Sequence, residues 1–260
     1  RSTALPTPTS LTTQDLSSPR AWLEYHPDGV YTVLRVDVAM TGNTVPQVNV
    51  WGLDFHLQRL EHSYAKWNPS TGGNTVGSAP KTQSVQVLRQ LLQEAVHDHN
   101  EDTTEQSKNY MVTLLWHPPS SLSDTTIVVR GHLLERAATS TAVVPVVASL
   151  AASSSNEATP LPNRHEKGLA DCKLSSWCHQ RKPLETQFKF VDKLPMALSS
   201  TNSGTTTLSP QEVVLTRACP GGEMNDCQLE LLEGLTSNLF VVYPNKLVRT
   251  APTSLALSGF

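Results

Sequence analysis

The chain has 260 residues, a formal net charge of −3, 38% hydrophobic and 17% charged residues. That length can bury a sizeable core in one large domain or two small ones. The near-neutral charge leaves no electrostatic footprint for nucleic acid or an anionic membrane. The longest apolar stretch, residues 142–152, is broken by Pro145 and is far short of the roughly 18 or more residues that a spanning helix needs. Four cysteines are too few for a disulfide scaffold.

The chain opens at Arg1 in a Ser/Thr/Pro-rich stretch, and residues 1–21 are expected to form a disordered tail. A trimmed transit peptide has a similar composition, so a cytoplasmic and an organellar location (plastid or mitochondrion) both stay open. The cluster His26-Pro27-Asp28-Gly29 predicts a turn, and the alternating β-formers of 30–38 predict a strand. A second strand over 47–51 follows the Gly42-Asn43 turn, which makes a hairpin. Asp54 is placed to cap a helix running to about residue 66, with Phe55, Leu57, Leu60 and Tyr64 as its apolar positions. Residues 68–81 read as loop. A helix over 82–97 carries Val85, Leu88, Leu91, Leu92, Ala95 and Val96 on one face. Strands are expected over 111–116 and 126–132, with a further β-rich run at 143–148.

Residues 151–163 are low in complexity and read as a linker, dividing a small N-terminal α/β domain (22–150) from a larger C-terminal one (164–260). In the second half a helix is predicted over 174–181, with Ser175 as cap and Pro183 ending or kinking it. Residues 197–208 form a polar insert. Strands follow at 212–217, 228–232, 239–243 and 246–250. The fold class is therefore α+β, with mainly antiparallel strands in the second half.

Cys172, Cys178, Cys219 and Cys227, even with His165 and His179, have spacings that miss ordinary zinc-ligand loops, so no metal is predicted. Cys219 and Cys227 flank a Pro-Gly-Gly turn and could face each other across a hairpin. The sequence contains no Walker loop, no G-x-G-x-x-G and no G-x-S-x-G.

Three other segments are informative because of their order: His56-Leu57-Gln58-Arg59-Leu60-Glu61-His62-Ser63, then Asp171-Cys172-Lys173-Leu174-Ser175-Ser176-Trp177, then Glu233-Gly234-Leu235-Thr236-Ser237-Asn238-Leu239-Phe240. Taken singly, each charged residue in them reads as an exposed surface group. Together they resemble the class IV aminotransferases, the fold-type-IV pyridoxal 5'-phosphate (PLP) enzymes, which include branched-chain and D-amino-acid aminotransferases and aminodeoxychorismate lyase. The strand Asp28-Gly29-Val30-Tyr31 matches the family's opening strand. His56 to Ser63 matches its His-x-x-Arg-Leu-x-x-Ser helix, and Glu233 to Phe240 matches its Glu-Gly-x-x-x-Asn-Leu-Phe turn. Lys173-Leu-Ser-Ser-Trp with Arg181-Lys182-Pro183-Leu184-Glu185 looks most like a little-characterised plant and algal branch.

The resemblance implies a two-domain PLP enzyme, homodimeric when full length, that passes an amino group between an amino acid and a 2-oxo acid. It implies that Lys173 forms the Schiff base, with Lys167 as its near rival. It further implies that Glu233 faces the pyridine nitrogen, Arg59 anchors the phosphate, Thr236 and Ser237 offer N–H or hydroxyl donors, Asn238 fixes their turn, and Tyr31 lies by the cofactor or substrate. Thr250-Ala251-Pro252 and Leu257-Ser258-Gly259-Phe260 match only part of the family's last segment, so the C-terminal domain is expected to be incomplete. Cys178 stands where the branched-chain enzymes carry a tyrosine. Leu114-Leu115-Trp116 follows Val112-Thr113 where the D-amino-acid enzymes carry a carboxylate-binding arginine. The substrate is thus left open, as is the choice between a transaminase, a lyase that eliminates pyruvate, and a non-catalytic PLP binder.

Overall fold

A computed structural model describes residues 18–39, 47–68, 78–101, 107–118, 127–136, 148–151, 167–189, 212–218 and 229–256. The expected 143–148 run, the linker, the 197–208 insert, His165, Cys219 and Cys227 fall wholly or mostly outside them. Helix α1 (Pro19–Tyr25) begins with proline at its first position, and the Ser18 hydroxyl accepts the Ala21 N–H at 3.2 Å. The tail expected over 1–21 therefore overlaps this helix, whose Trp22 and Leu23 are buried.

Strand β1 (Val30–Ala39) is rich in β-branched residues and forms the centre of an antiparallel sheet with β2 (Gln47–Val50), β3 (Lys108–His117) and β4 (Val128–Arg136), in the order β2-β1-β3-β4. Period-two alternation sends Val30, Thr32, Leu34, Val36 and Val38 to one face, where all five are buried. That face is covered by α2 (Leu53–Trp67) and α3 (Ser78–Glu101), which add Leu57, Leu60, Tyr64, Leu88, Leu92 and Ala95 to one core. The Trp116 indole N–H donates to Ser84 Oγ at 2.8 Å and ties α3 to β3.

Two helix starts differ from expectation. Gly52, not Asp54, caps α2; its φ of 59° lies in the left-handed region that glycine enters at little cost, and no side chain caps the helix. Phe55 accordingly sits at the rim, 36% exposed, rather than in the core. Helix α3 starts at Ser78, because Pro80 is tolerated in a first turn and Thr82 and Ser84 return their hydroxyls to the Ser78 and Pro80 carbonyls.

The second half forms a separate three-stranded sheet, β5-β6-β7. Strand β5 (Ala148–Ala151) runs parallel to β6 (Glu212–Ala218), and β6 pairs antiparallel with β7 (Leu229–Gly234). A hairpin of β8 (Val241–Val242) and β9 (Val248–Arg249) follows, shorter than its sequence predicts. The single helix expected over 174–181 is two: α4 (Trp177–Gln180) and α5 (Lys182–Lys189). Pro183 opens the second rather than ending the first, as its missing N–H allows. Trp177, Phe188, Val213, Leu215, Leu232 and Leu235 form a core between these helices and the sheet.

Lys173 lies between β5 and β6 in the chain, just before α4. The Tyr31 N–H donates to the Lys173 carbonyl at 2.8 Å, and the Ser175 N–H donates to the Gly29 carbonyl at 2.9 Å, so residues 173–175 extend the start of β1 as a short antiparallel bridge. Gly29 is needed there: a Cβ would stand 2.6 Å from the Trp116 carbonyl oxygen and 2.9 Å from Leu115. Gly29→Ala is expected to destabilise the protein by about 1–3 kcal/mol, because backbone cannot yield as a side chain can. Equilibrium denaturation would show it; a loss below about 0.5 kcal/mol would mean that the β1 start moves freely.

Candidate active site

Lys173 is held from several sides. Its N–H donates to Ser63 Oγ at 3.3 Å, which joins the segment to α2. The preceding Asp171 accepts Lys66 Nζ at 2.7 Å and pairs with His62 Nε2 at 3.1 Å. Burial opposes its ionisation, yet those two partners outweigh the opposition and hold Asp171 below the usual carboxylate range. Ser175 Oγ donates to the Gly29 carbonyl at 3.1 Å rather than capping a helix. Arg20 bridges Glu24 at 2.9 Å and Glu185 at 2.8 Å, and so pins α1 against α5.

The lysine side chain runs inward, with Nζ 5.1 Å from the centroid of the buried Tyr31 ring. Burial, then repulsion from Arg59 and Arg181, lowers its pKa to about 7, with Cys178 opposing. A large share of this amine is therefore uncharged at neutral pH, the form in which nitrogen has a lone pair to give. Cys178 is buried, and burial raises its thiol pKa.

Arg59 stands one helical turn after His56, on the same face of α2. Its Nη2 donates to Thr32 Oγ1 at 2.7 Å and lies 3.2 Å from His56 Nδ1. Thr32 Oγ1 and His56 Nδ1 are 2.7 Å apart. Burial lowers the guanidinium's pKa while Tyr31 raises it, and at any ordinary pH it keeps its charge. Burial, followed by Arg59 and Lys173, lowers the pKa of His56 to about 4. The site therefore sets a charged guanidinium and a part-ionised amine beside a neutral imidazole, which favours an anionic ligand.

The pKa of His56 makes folding sensitive to acid. The unfolded imidazole takes up its proton near pH 6.5, the folded one only near pH 4. Its burial costs nothing above that window and is penalised progressively as pH falls through it. We expect His56 to account for a loss of about 2 kcal/mol between pH 7 and pH 5, read as a difference in urea midpoint between wild type and His56→Asn. Equal pH slopes for the two proteins would contradict the assignment.

Glu233 lies near the end of β7 and is buried, 4% exposed. The turn after it is closed by backbone: the Gly234 N–H donates to the Ser237 carbonyl at 2.8 Å and the Leu235 N–H to the Val213 carbonyl at 2.9 Å. Glu212 completes the closure. One of its oxygens accepts the Val213 N–H at 2.9 Å; the other accepts the hydroxyl of Thr236 and that of Ser237, the latter at 2.8 Å. The hydroxyls expected to face a phosphate are thus directed to a carboxylate, while Thr236, Ser237 and Asn238 are exposed. The Trp177 indole N–H donates to the Leu235 carbonyl at 3.0 Å, which couples the turn to the helix that follows Lys173.

The structure brings Lys173, Tyr31 and Arg59 into one cluster, and ties the Glu233 turn to the Lys173 segment through Trp177. Thr32, Arg181 and Glu212 escape sequence reasoning. A threonine inside an apolar strand and an acid at a strand start carry no signal by themselves. His56 does carry one, its three-residue spacing from Arg59. Among the described residues no cluster of three or more His, Cys, Asp or Glu could hold a metal, and no helix is long and apolar enough to cross a membrane.

No protein-family model matches the sequence, and no curated protein matches it either. Among solved structures the chain is similar to a fold IV transaminase, CpuTA1, from Curtobacterium pusillum, with 17% identity and a TM-score of 0.47 over 90% of this chain and 63% of that one. It is also similar to the branched-chain aminotransferase of the archaeon Thermoproteus uzoniensis, with 13% identity and a TM-score of 0.46 over 94% of this chain and 65% of that one. A third is the branched-chain amino acid aminotransferase of Escherichia coli, with 16% identity and a TM-score of 0.41 over 88% and 62%. The chain spans a little under two thirds of the length of each.

Proposed function

We propose that this chain carries the core of a PLP-dependent transaminase acting on an amino acid and a 2-oxo acid, with Lys173 as the residue that attaches the cofactor. The observation that supports it best is the Lys173 amine, partly buried beside Tyr31, repelled by Arg59 and Arg181, and half-ionised near pH 7. A surface lysine would be fully protonated there and chemically idle.

The donor set suits PLP. The cofactor needs an uncharged amine for its aldehyde, a fixed cation for its phosphate and an acid for its ring nitrogen. Lys173, Arg59 and Glu233 are those three chemistries. When bound, PLP supplies the electron-withdrawing ring that makes the substrate's Cα–H acidic. Lys173 Nζ, near-neutral in pKa, is suited to take that proton and return it. Arg59 provides a planar fork for phosphate oxygens. Glu233, shielded from water, is assigned to hold a proton on the ring nitrogen. Thr236 and Ser237 contribute through backbone N–H, since Glu212 takes their hydroxyls; Asn238 is assigned to the outer side of that turn. The Tyr31 ring walls the site beneath the lysine amine. A homodimer belongs to the same reading.

The test is PLP titration of the full-length protein followed by borohydride reduction and peptide mapping. A stable adduct on Lys173 is expected. An adduct on Lys167, or none on either lysine, would overturn the assignment.

A further inference from the structure

We propose that His56 and Thr32 are positioning residues that hold Arg59 for the cofactor's phosphate, and so set a preference for phosphorylated over unphosphorylated pyridoxal; this rests on the PLP reading above. The three side chains form a closed triangle with edges of 2.7, 2.7 and 3.2 Å. One arrangement of protons satisfies all three. Arg59 Nη2 can only donate, so the Thr32 oxygen accepts from it, and the Thr32 hydroxyl then donates to His56 Nδ1. His56 Nδ1 is therefore bare, and the imidazole carries its proton on Nε2.

The triangle spans two elements. His56 and Arg59 belong to α2, whereas Thr32 belongs to β1, next to the Tyr31 that underlies Lys173. Thr32 is fully buried and His56 is 4% exposed, so neither can shift without moving the core around it. An arginine on a surface helix samples many rotamers, and ordering it on binding weakens affinity. Here that cost is met in the folded protein, because Nη2 is fixed and with it the plane of the fork. Histidine suits this place for a further reason. It offers an acceptor without a negative charge, whereas an aspartate or glutamate would neutralise the cation that the phosphate needs.

The experiment measures the dissociation constants of PLP and of pyridoxal, by absorbance of the lysine adduct, for wild type, His56→Leu, His56→Asn and Thr32→Val. Both ligands carry the aldehyde, and only one carries the phosphate. Wild type is expected to favour PLP by about a hundredfold or more. His56→Leu and Thr32→Val should each weaken PLP binding about tenfold while moving pyridoxal by less than twofold. His56→Asn, whose amide oxygen can stand where Nδ1 stands, should recover most of the PLP affinity. A role in stability alone would lower both affinities together, or lower the melting temperature and leave the ratio untouched. An unchanged PLP-to-pyridoxal ratio in folded Thr32→Val and His56→Leu overturns the proposal. Thr32→Val, nearly isosteric, carries the test if His56→Leu does not fold. Failure of the PLP reading looks different: wild type itself would show no preference for PLP, and this inference would fall with it.

Discussion

Lys173→Met is expected to stabilise the cofactor-free protein at pH 7 and, in the same stroke, to abolish covalent capture of PLP. The lysine's folded pKa of about 7 lies well below its unfolded value near 10.4. Below pH 7 the folded protein therefore carries the full cost of a partly buried ammonium, and the cost is relieved as pH rises towards 10.5. Methionine of similar length removes that cost but also the contact of the amine with the Tyr31 ring. The balance is about 3 kcal/mol in favour of the variant at pH 7, shrinking below about 1 kcal/mol at pH 10. Urea denaturation of both proteins at the two pH values would check it. A variant less stable than wild type at pH 7 would show that the amine is not held at a penalty. In that case the best support for its chemical role would be gone.

Glu233→Gln is expected to leave the fold and PLP affinity nearly intact while lowering turnover by about 10²–10³-fold. The amide has the same shape as the carboxylate it replaces and keeps an acceptor for its buried surroundings. It lacks the charge that would hold a proton on the cofactor ring. The measurement is the single-turnover spectral change of PLP-loaded protein with L-glutamate, L-leucine or D-alanine, whichever amino donor the wild type uses. Wild-type rates in the variant would move the role to another residue. A loss of PLP binding equal to the loss of rate would make Glu233 a structural anchor of its turn instead.

Strand β1 and helices α2 and α3 were legible because their burial is largely one-sided. Residues 30–38 alternate, and the apolar positions of 57–64 and 85–96 repeat every three or four, so each segment announces the face it buries. Boundaries were less legible where a residue has two uses. Pro183 can stop a helix or start one, and here it stands in the first turn of α5, where its missing N–H has no intrahelical partner to lose. Asp54 is a good cap, yet the chain enters α2 through a left-handed Gly52, which places Asp54 inside the first turn instead.

The candidate site divides in the same way. Its charged members were visible as spaced residues in one line of sequence: Arg59 three after His56, Lys173 before a Ser-Ser-Trp, Glu233 before a glycine. Spacing along a helix fixes which side chains share a face, so the pairing of His56 with Arg59 is determined locally. Everything that joins distant segments was decided by tertiary structure. The bridge of residues 173–175 to the start of β1 carries the lysine to Tyr31 across more than 140 residues of sequence, and it depends on Gly29 having no side chain. Thr32 becomes a partner of Arg59 only when α2 packs on β1, and Glu212 meets Thr236 and Ser237 only when β6 pairs with β7. The low pKa of Lys173 belongs to this second class as well, because desolvation depends on what the whole chain packs around an amine and no local pattern encodes it.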